Sequence, residues 1–350
     1  MSASALLRRP PRGMPLGLGI AGIVACVIGA IFNPVQFFRS YLLGFVFWAG
    51  VVLGCLAILM LYHMVGGRWG FLIRRILEAA TRTFPMLAVL FVPILFGARD
   101  LYLWARPEAV RADPILQAKA GYLNVPFFAI RTAILFAVWI GLASLLNRWS
   151  AEQDATDDPA LGVKLQRISA PGLILYAATT FFASVDWLMS LAPHWYSSIF
   201  GMAFMVGHGL SAMAFVLLAV WGLSRVEPFS QAVAPGVFRD LGNLLFMFLM
   251  LWGYMTFSQL IIIWSGNLPE EISWYLPRLH TSWKFLSLFL LLSYFGAPFL
   301  LLLSRRVKTD LRFLGGVAAW VLAMRTIDLI WIVEPIFHPA GIYVHVLDFA

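Results

Sequence analysis

A small set of ionisable side chains interrupts the long apolar runs of this 350-residue sequence: Arg131, Asp186, His208, Lys284, Arg325, Asp328 and Glu334. A charge near the middle of a bilayer costs about 2.5–3.5 kcal/mol by insertion scales, so each needs a partner or a purpose. Arg325 and Asp328 are three residues apart, share a helix face and are expected to pair. Asp186 is followed by Trp187 and by the segment Pro193–Gly201, PHWYSSIFG. A carboxyl in such an aromatic, poorly hydrated setting is suited to proton exchange. Quinone sites use an apolar slot with a histidine or carboxylate acceptor, which makes His208 and Asp186 the candidates for that chemistry. Arg131 is expected to be a structural charge, and His63 an interfacial residue.

The elements that must position these groups are membrane helices. Hydrophobic residues make up 61% of the chain and charged residues only 12%, against about 25% charged in soluble domains; mean hydropathy is +0.84. Nine apolar segments of bilayer-spanning length are expected near 16–32, 41–65, 83–104, 123–147, 169–191, 199–223, 239–264, 280–304 and 312–334. The apolar residues 342–350 are expected to begin a tenth span. With the N-terminus on the cytoplasmic side, sixteen lysines and arginines fall on inner segments and six on outer ones, as the positive-inside rule requires. The inner set includes Arg8, Arg9, Arg12 and Arg225; the outer set includes Arg39 and Arg278. The net charge of +8 is therefore topogenic rather than a sign of nucleic-acid binding. These directions place nearly all of the buried charges in the outer half, where one polar cluster, or two related ones, is expected.

Two inner segments differ in character. Within residues 66–82, Trp69, Leu72, Ile73, Ile76, Leu77 and Ala80 share one helical face and Arg74, Arg75, Glu78 and Arg82 the other, the pattern of an amphipathic helix in the headgroup region. Residues 148–168 are expected to be a solvated loop. Redox centres have no ligands in this pattern. Cys26 and Cys55 lie in apolar runs with no CxxC or CxxCH motif, which argues against iron–sulfur and c-type haem sites. Of the six histidines only His63 and His208 lie inside expected spans, at opposite depths, so no bis-histidine haem pair is apparent. No metal site is expected.

Four strings carry a resemblance: Lys119-Ala-Gly-Tyr-Leu-Asn-Val-Pro-Phe-Phe-Ala-Ile-Arg131; Ser184-Val-Asp-Trp-Leu-Met-Ser190 with its continuation to Gly201; Arg325-Thr-Ile-Asp-Leu-Ile-Trp331; and GGRWGFLIRRILEA from Gly66. In this order and topology they resemble the NrfD-like, polysulfide-reductase-membrane-subunit-like family, and within it the F subunit of bacterial alternative complex III, a quinol:cytochrome c (or other acceptor) oxidoreductase. The resemblance runs from about residue 20 to 348. It implies an all-α membrane fold of duplicated four-helix bundles, 41–191 and 199–334, flanked by residues 1–40 with the first helix and by 335–350. It also implies a multi-pass protein of the bacterial inner membrane. The expected partners are a sister NrfD-like membrane subunit, a multihaem cytochrome c subunit, an iron–sulfur subunit and the quinol pool, with haem and iron–sulfur centres held by the partners. Asp186, His208, Arg325 and Asp328 carry over as proton-path candidates, with Lys284 and Tyr254, and Tyr176, Ser258 and Gln259 as extensions.

Other functions stay open on the sequence: a quinol site within this chain, a secondary transporter, or a structural scaffold whose charges lock helices together.

Overall fold

The computed structural model describes residues 13–156, 158–224 and 235–349. Arg8, Arg9, Arg12 and Arg225, which contribute to the expected sidedness, lie outside them. Among the described residues all regular structure is helical, with no strand. The main elements are α1 (Gly13–Phe32), α2 (Pro34–Val65), α3 (Arg68–Thr81), α4 (Phe84–Phe96), α5 (Val125–Thr156), α6 (Pro159–Trp187), α7 (Ser198–Leu223), α8 (Pro235–Gly266), α9 (Trp283–Leu303) and α10 (Leu311–Phe337). Seven of these, α2 and α5–α10, are long and apolar enough to cross a membrane; α3 and α4, bent by 41° at their junction, make an eighth if they form one span. The apolar described part of α1, Ala21–Phe32, is shorter. The chain is thus an all-α, multi-pass membrane protein.

Helix boundaries follow local chemistry. The Asn33 side chain accepts from Gln36 N–H (3.2 Å) ahead of Pro34, which starts α2, and Asp158 does the same for Ala160 (2.9 Å) ahead of Pro159. An N-cap oxygen followed by proline satisfies a free N–H and pre-sets the first helical φ. Gly66 and Gly67 end α2 with φ of 71° and 107°, backbone that favours glycine.

These boundaries correct several expectations. Arg39 lies inside α2, which begins seven residues before the expected 41. The segment 148–168 is not a loop: α5 runs on to Thr156 and α6 begins at Pro159. The third span is short because α4 stops at Phe96, and 98–119 breaks into short helices, two of which open on Pro107 and Pro114. Residues 342–349 hold no start of a long helix; Val346–Phe349 forms one tight turn. It docks on α2 through Asp348, which accepts from Ser40 Oγ (2.5 Å) and Gln36 Nε2 (3.2 Å).

α2 and α7 are the central helices of the bundle and pack on each other. α2 packs on α4, α6, α7 and α10, and α7 on α2, α6, α8 and α10. One end of the bundle gathers the long connections. There Lys119 Nζ donates to the Pro193 carbonyl (2.6 Å), His194 meets Asp113 (2.5 Å) and Trp195 Nε1 donates to the Glu271 carbonyl (2.9 Å). This long-loop end is the one expected to face outward.

At the opposite end α3 has its apolar residues Leu72, Ile73 and Leu77 buried against protein, not lipid. Its charged face is also engaged. Glu78, 1% exposed, takes Arg75 Nη1 (2.5 Å) and the Ser150 hydroxyl of α5, while Arg74 reaches Asp154 (2.7 Å). α3 is the amphipathic helix expected, with part of each face packed on protein, and Glu78 places buried charge at this end of the bundle as well.

Candidate functional site

The expected common pocket resolves into separate polar sites. The first joins α5 and α6. Arg131, in the second turn of α5, binds the fully buried Asp186 with both arms of its fork, Nε to Oδ2 (2.8 Å) and Nη2 to Oδ1 (2.9 Å), while Nη1 donates to the Tyr122 carbonyl (2.8 Å). The guanidinium lies 3.8 Å from the Tyr122 ring centroid and 4.5 Å from that of Phe127. Such bidentate, ring-stacked geometry is the strong form of an ion pair. Asp186 is therefore not a lone carboxyl among aromatics: both oxygens are committed to Arg131, the residue expected only as a structural charge.

The second site lies among α7–α10. Arg325 Nη1 donates to Asp328 Oδ2 (2.6 Å), the expected pair, with both side chains under a tenth exposed. Gly207 makes room for it, since a Cβ there would come within 2.9 Å of Arg325 Nη1. Beside the pair is a cavity of about 40 Å³ whose lining includes Trp252, Thr256, Gln259 and Trp274. A water needs about 10–15 Å³ of such space and two to four polar partners, so the cavity has room for water. Among the described residues Gln259 Nε2 has no hydrogen-bond partner, and the buried Tyr294 hydroxyl, beside Arg325, makes no well-formed one. Tyr294 is presented by a π turn, Leu291–Gly296, within α9 and lies 4.3 Å from the Trp252 ring. Such turns recur at functional sites.

His208 follows Gly207 on α7. It is 1% exposed, and among the described residues neither ring nitrogen has a hydrogen-bond partner. Phe204 closes one side (4.2 Å between ring centroids), and on the other a Cβ at Gly50 would meet its Cδ2 at 2.8 Å.

Other expected residues stand apart. Tyr254 is 64% exposed on the outer surface of α8. Lys284 is exposed, its ammonium 5.2 Å from the Phe285 ring. Neither reaches the polar sites. Tyr176 is buried on α6 with a free hydroxyl, and Ser258 is half-buried. Glu334, fully buried, meets His338 Nδ1 at 3.1 Å near the long-loop end, where the Arg39 guanidinium lies 4.2 Å from the Phe337 ring. No hydrogen bond among the described residues links Arg131–Asp186 to Arg325–Asp328. Nor do the described residues hold a group of three or more His, Cys, Asp or Glu side chains placed for a metal ion.

Tyr294 escaped the sequence reading, and Glu78 and Arg278 were read there only as charges of an amphipathic face and an outer segment. Arg278, placed there in an outer loop, is 1% exposed. It donates to the carbonyls of Trp331 (3.1 Å), Ile332 (2.6 Å) and Trp274 (2.5 Å), with its guanidinium 3.5 Å from the Trp274 ring. The cause is Pro335: lacking an N–H, it leaves the carbonyl four residues back, that of Trp331, without its helical donor. A proline four residues after a tryptophan within an apolar helix was the available signal for an orphaned carbonyl. Arg278→Lys is expected to lower the thermal transition in detergent, because one ammonium cannot reproduce a fork spread over three carbonyls and stacked on an indole; each carbonyl left unpaired costs about 1–3 kcal/mol. An unchanged transition would show that the carbonyls find other donors.

The fold and these sites define a helical, polytopic membrane protein with paired charges buried in its interior. Comparison with protein-family profiles and with curated proteins finds no match.

Proposed function

We propose that this chain is a membrane-embedded subunit of a quinol:electron-acceptor oxidoreductase complex in a bacterial inner membrane. It holds no redox centre of its own, and its α7–α10 half serves proton movement coupled to quinol oxidation. The resemblance of four strings to the alternative complex III F subunit supplies the class. The observation that carries the proton role is the Arg325–Asp328 pair beside a cavity bordered by Gln259, with Tyr294 and His208 buried nearby without well-formed hydrogen bonds. A relay needs titratable groups, hydroxyls and water within hydrogen-bond reach, and a carboxylate whose partner can shift. Asp328 has one oxygen on Arg325, in contrast to Asp186 with both oxygens held.

A quinol site at His208 or Asp186 has less support. Both are sealed from the bilayer at 1% and 0% exposure, whereas a quinone ring needs an open slot. A transporter reading calls for a pair of broken helices; among the described residues α3–α4 is a single bent pair, and α9 stays continuous through its π turn.

The test is Asp328→Asn in the assembled complex, reading protons released per electron transferred. The expected result is a fall to the value set by quinol chemistry alone, with quinol binding retained. Unchanged stoichiometry and unchanged turnover would falsify the proton role.

A further inference from the structure

Glu334 stands apart from the other buried acids of the helices. Glu78, Asp186 and Asp328 are each paired with an arginine: Arg75, Arg131 and Arg325. Glu334 is not. Its Oε2 meets His338 Nδ1 (3.1 Å), and among the described residues its Oε1 has no hydrogen-bond partner. The carboxylate is fully buried while the His338 side chain is 27% exposed, so the imidazole bridges a sealed acid and water. Both sit at the long-loop end, Glu334 about 9 Å further along α10 than Asp328.

Charged groups surround this pair but are bonded elsewhere. From α2, Arg39 lies over the Phe337 ring (4.2 Å) with its Nε unbonded among the described residues. It is within electrostatic reach of Glu334, and Asp100 and Arg106 are within reach of Arg39 in turn. From the C-terminal turn, Asp348 is a second acid within reach of Glu334, held by Ser40, Gln36 and the His345 N–H (2.8 Å). The His345 ring accepts from the Leu347 N–H (3.2 Å) of that same turn. Arg278 is committed to the carbonyls of Trp331, Ile332 and Trp274, and Lys284 of α9 lies over its neighbour Phe285 (5.2 Å). Two buried acids thus face one guanidinium, and one proton balances the charge.

His338 is held in place. Its ring stacks on Tyr343 (4.2 Å between centroids), and its carbonyl accepts from Trp283 Nε1 (2.9 Å). Burial, then the Arg39 charge, push its imidazolium down from the ordinary value. At neutral pH the ring is therefore neutral, with one nitrogen to take a proton and one to give it.

We infer that Glu334 and His338 form a proton-exchange pair between the bundle interior and water at the long-loop end. Outward, the Glu334 carboxyl gives its proton to Nδ1 as Nε2 releases one to water, leaving a carboxylate and a neutral ring; inward transfer is the reverse. As the outlet of a relay the pair rests on the proton role proposed above; as a site of exchange it stands apart from it.

The full chain in lipid nanodiscs, titrated through the neutral range, should show an infrared band of a protonated carboxyl that disappears as pH rises. Glu334→Gln, which keeps the side chain's size, should abolish that band and hold the thermal transition close to the parent's; Asp328→Asn should leave the band in place. In the assembled complex His338→Ala should slow proton release by about a hundredfold, the low end for a positioned proton carrier, and added imidazole should restore part of it. No titrating band, or one that survives Glu334→Gln, would overturn the pair. Full proton release in His338→Ala, or no rescue by imidazole, would overturn its role as outlet. An unchanged stoichiometry in Asp328→Asn with Glu334 still titrating would sink the relay and support the exchange pair.

Discussion

Arg131→Gln is expected to cost about 3–5 kcal/mol of folding stability, the range for removing one partner of a buried ion pair. The loss arises less from the missing attraction than from what remains. Asp186 is fully buried, and its two oxygens accept from Nε and Nη2 of Arg131. Without them a carboxylate is stranded between α5 and α6, and the Tyr122 carbonyl loses the donor that ties the 120–124 turn to α5. The double variant Arg131→Met with Asp186→Leu should recover much of the loss, since apolar pairs of similar volume commonly replace buried ion pairs at little net cost. Thermal or denaturant unfolding of the four proteins gives the coupling as a double-mutant cycle. A single-variant cost below about 1 kcal/mol, the range of exposed pairs, would show that the pair does not hold these helices together.

Gly54→Leu is expected to leave no folded bundle, and Gly54→Ala to lower stability by more than the roughly 1–3 kcal/mol of ordinary overpacking. At Gly54 a Cβ would lie far inside contact distance of the His208 carbonyl, 2.6 Å from its carbon and 2.7 Å from the Ala212 Cβ. These are helix backbone and a short side chain, which cannot rotate aside. The strain would fall on the contact between α2 and α7, the two central helices of the bundle. Gly50, one turn earlier, faces the His208 ring instead (2.8 Å to Cδ2), which can swing, so Gly50→Ala should be the milder change and should move His208 itself. Gly44→Ala, built into open space, serves as the control and should be neutral or stabilising by a few tenths to about 1 kcal/mol through helix propensity. Melting curves of the three alanine variants in one detergent rank them; equal transitions for Gly54→Ala and Gly44→Ala would refute a tight seam.

The two buried pairs show how much of the site was legible. Arg325 and Asp328 are three residues apart, and helical geometry alone brings them together, so their contact was foreseeable. Arg131 and Asp186 lie on different helices, 55 residues apart. Each was recognisable as a charge in an apolar run, but nothing local said that one answered the other. Tyr254 and Lys284 failed for a related reason. Helices apolar on every side carry no amphipathic signal to tell an interior face from a lipid face, so a polar residue on them cannot be oriented from spacing. α3 is a mixed case: its two faces were plain in the sequence, but which residues of each pack on protein depended on where α2 and α5 lay.

The sequence by itself determined the class of this protein and most of its span positions, because scarcity of charge and runs of about twenty apolar residues leave a chain no soluble alternative. It also determined the local devices, from the Asn33–Pro34 start of α2 to the ion pair on α10. Only the tertiary structure decided which buried group is held and which is left with bonding capacity to spare. It committed both oxygens of Asp186 to Arg131, stacked Arg278 beneath the carbonyl that Pro335 orphaned, and set Gln259 beside the water-sized space next to Asp328. The physical reason is that burial and hydrogen-bond satisfaction belong to contacts between helices, and those contacts follow from packing across the whole bundle rather than from any stretch of it.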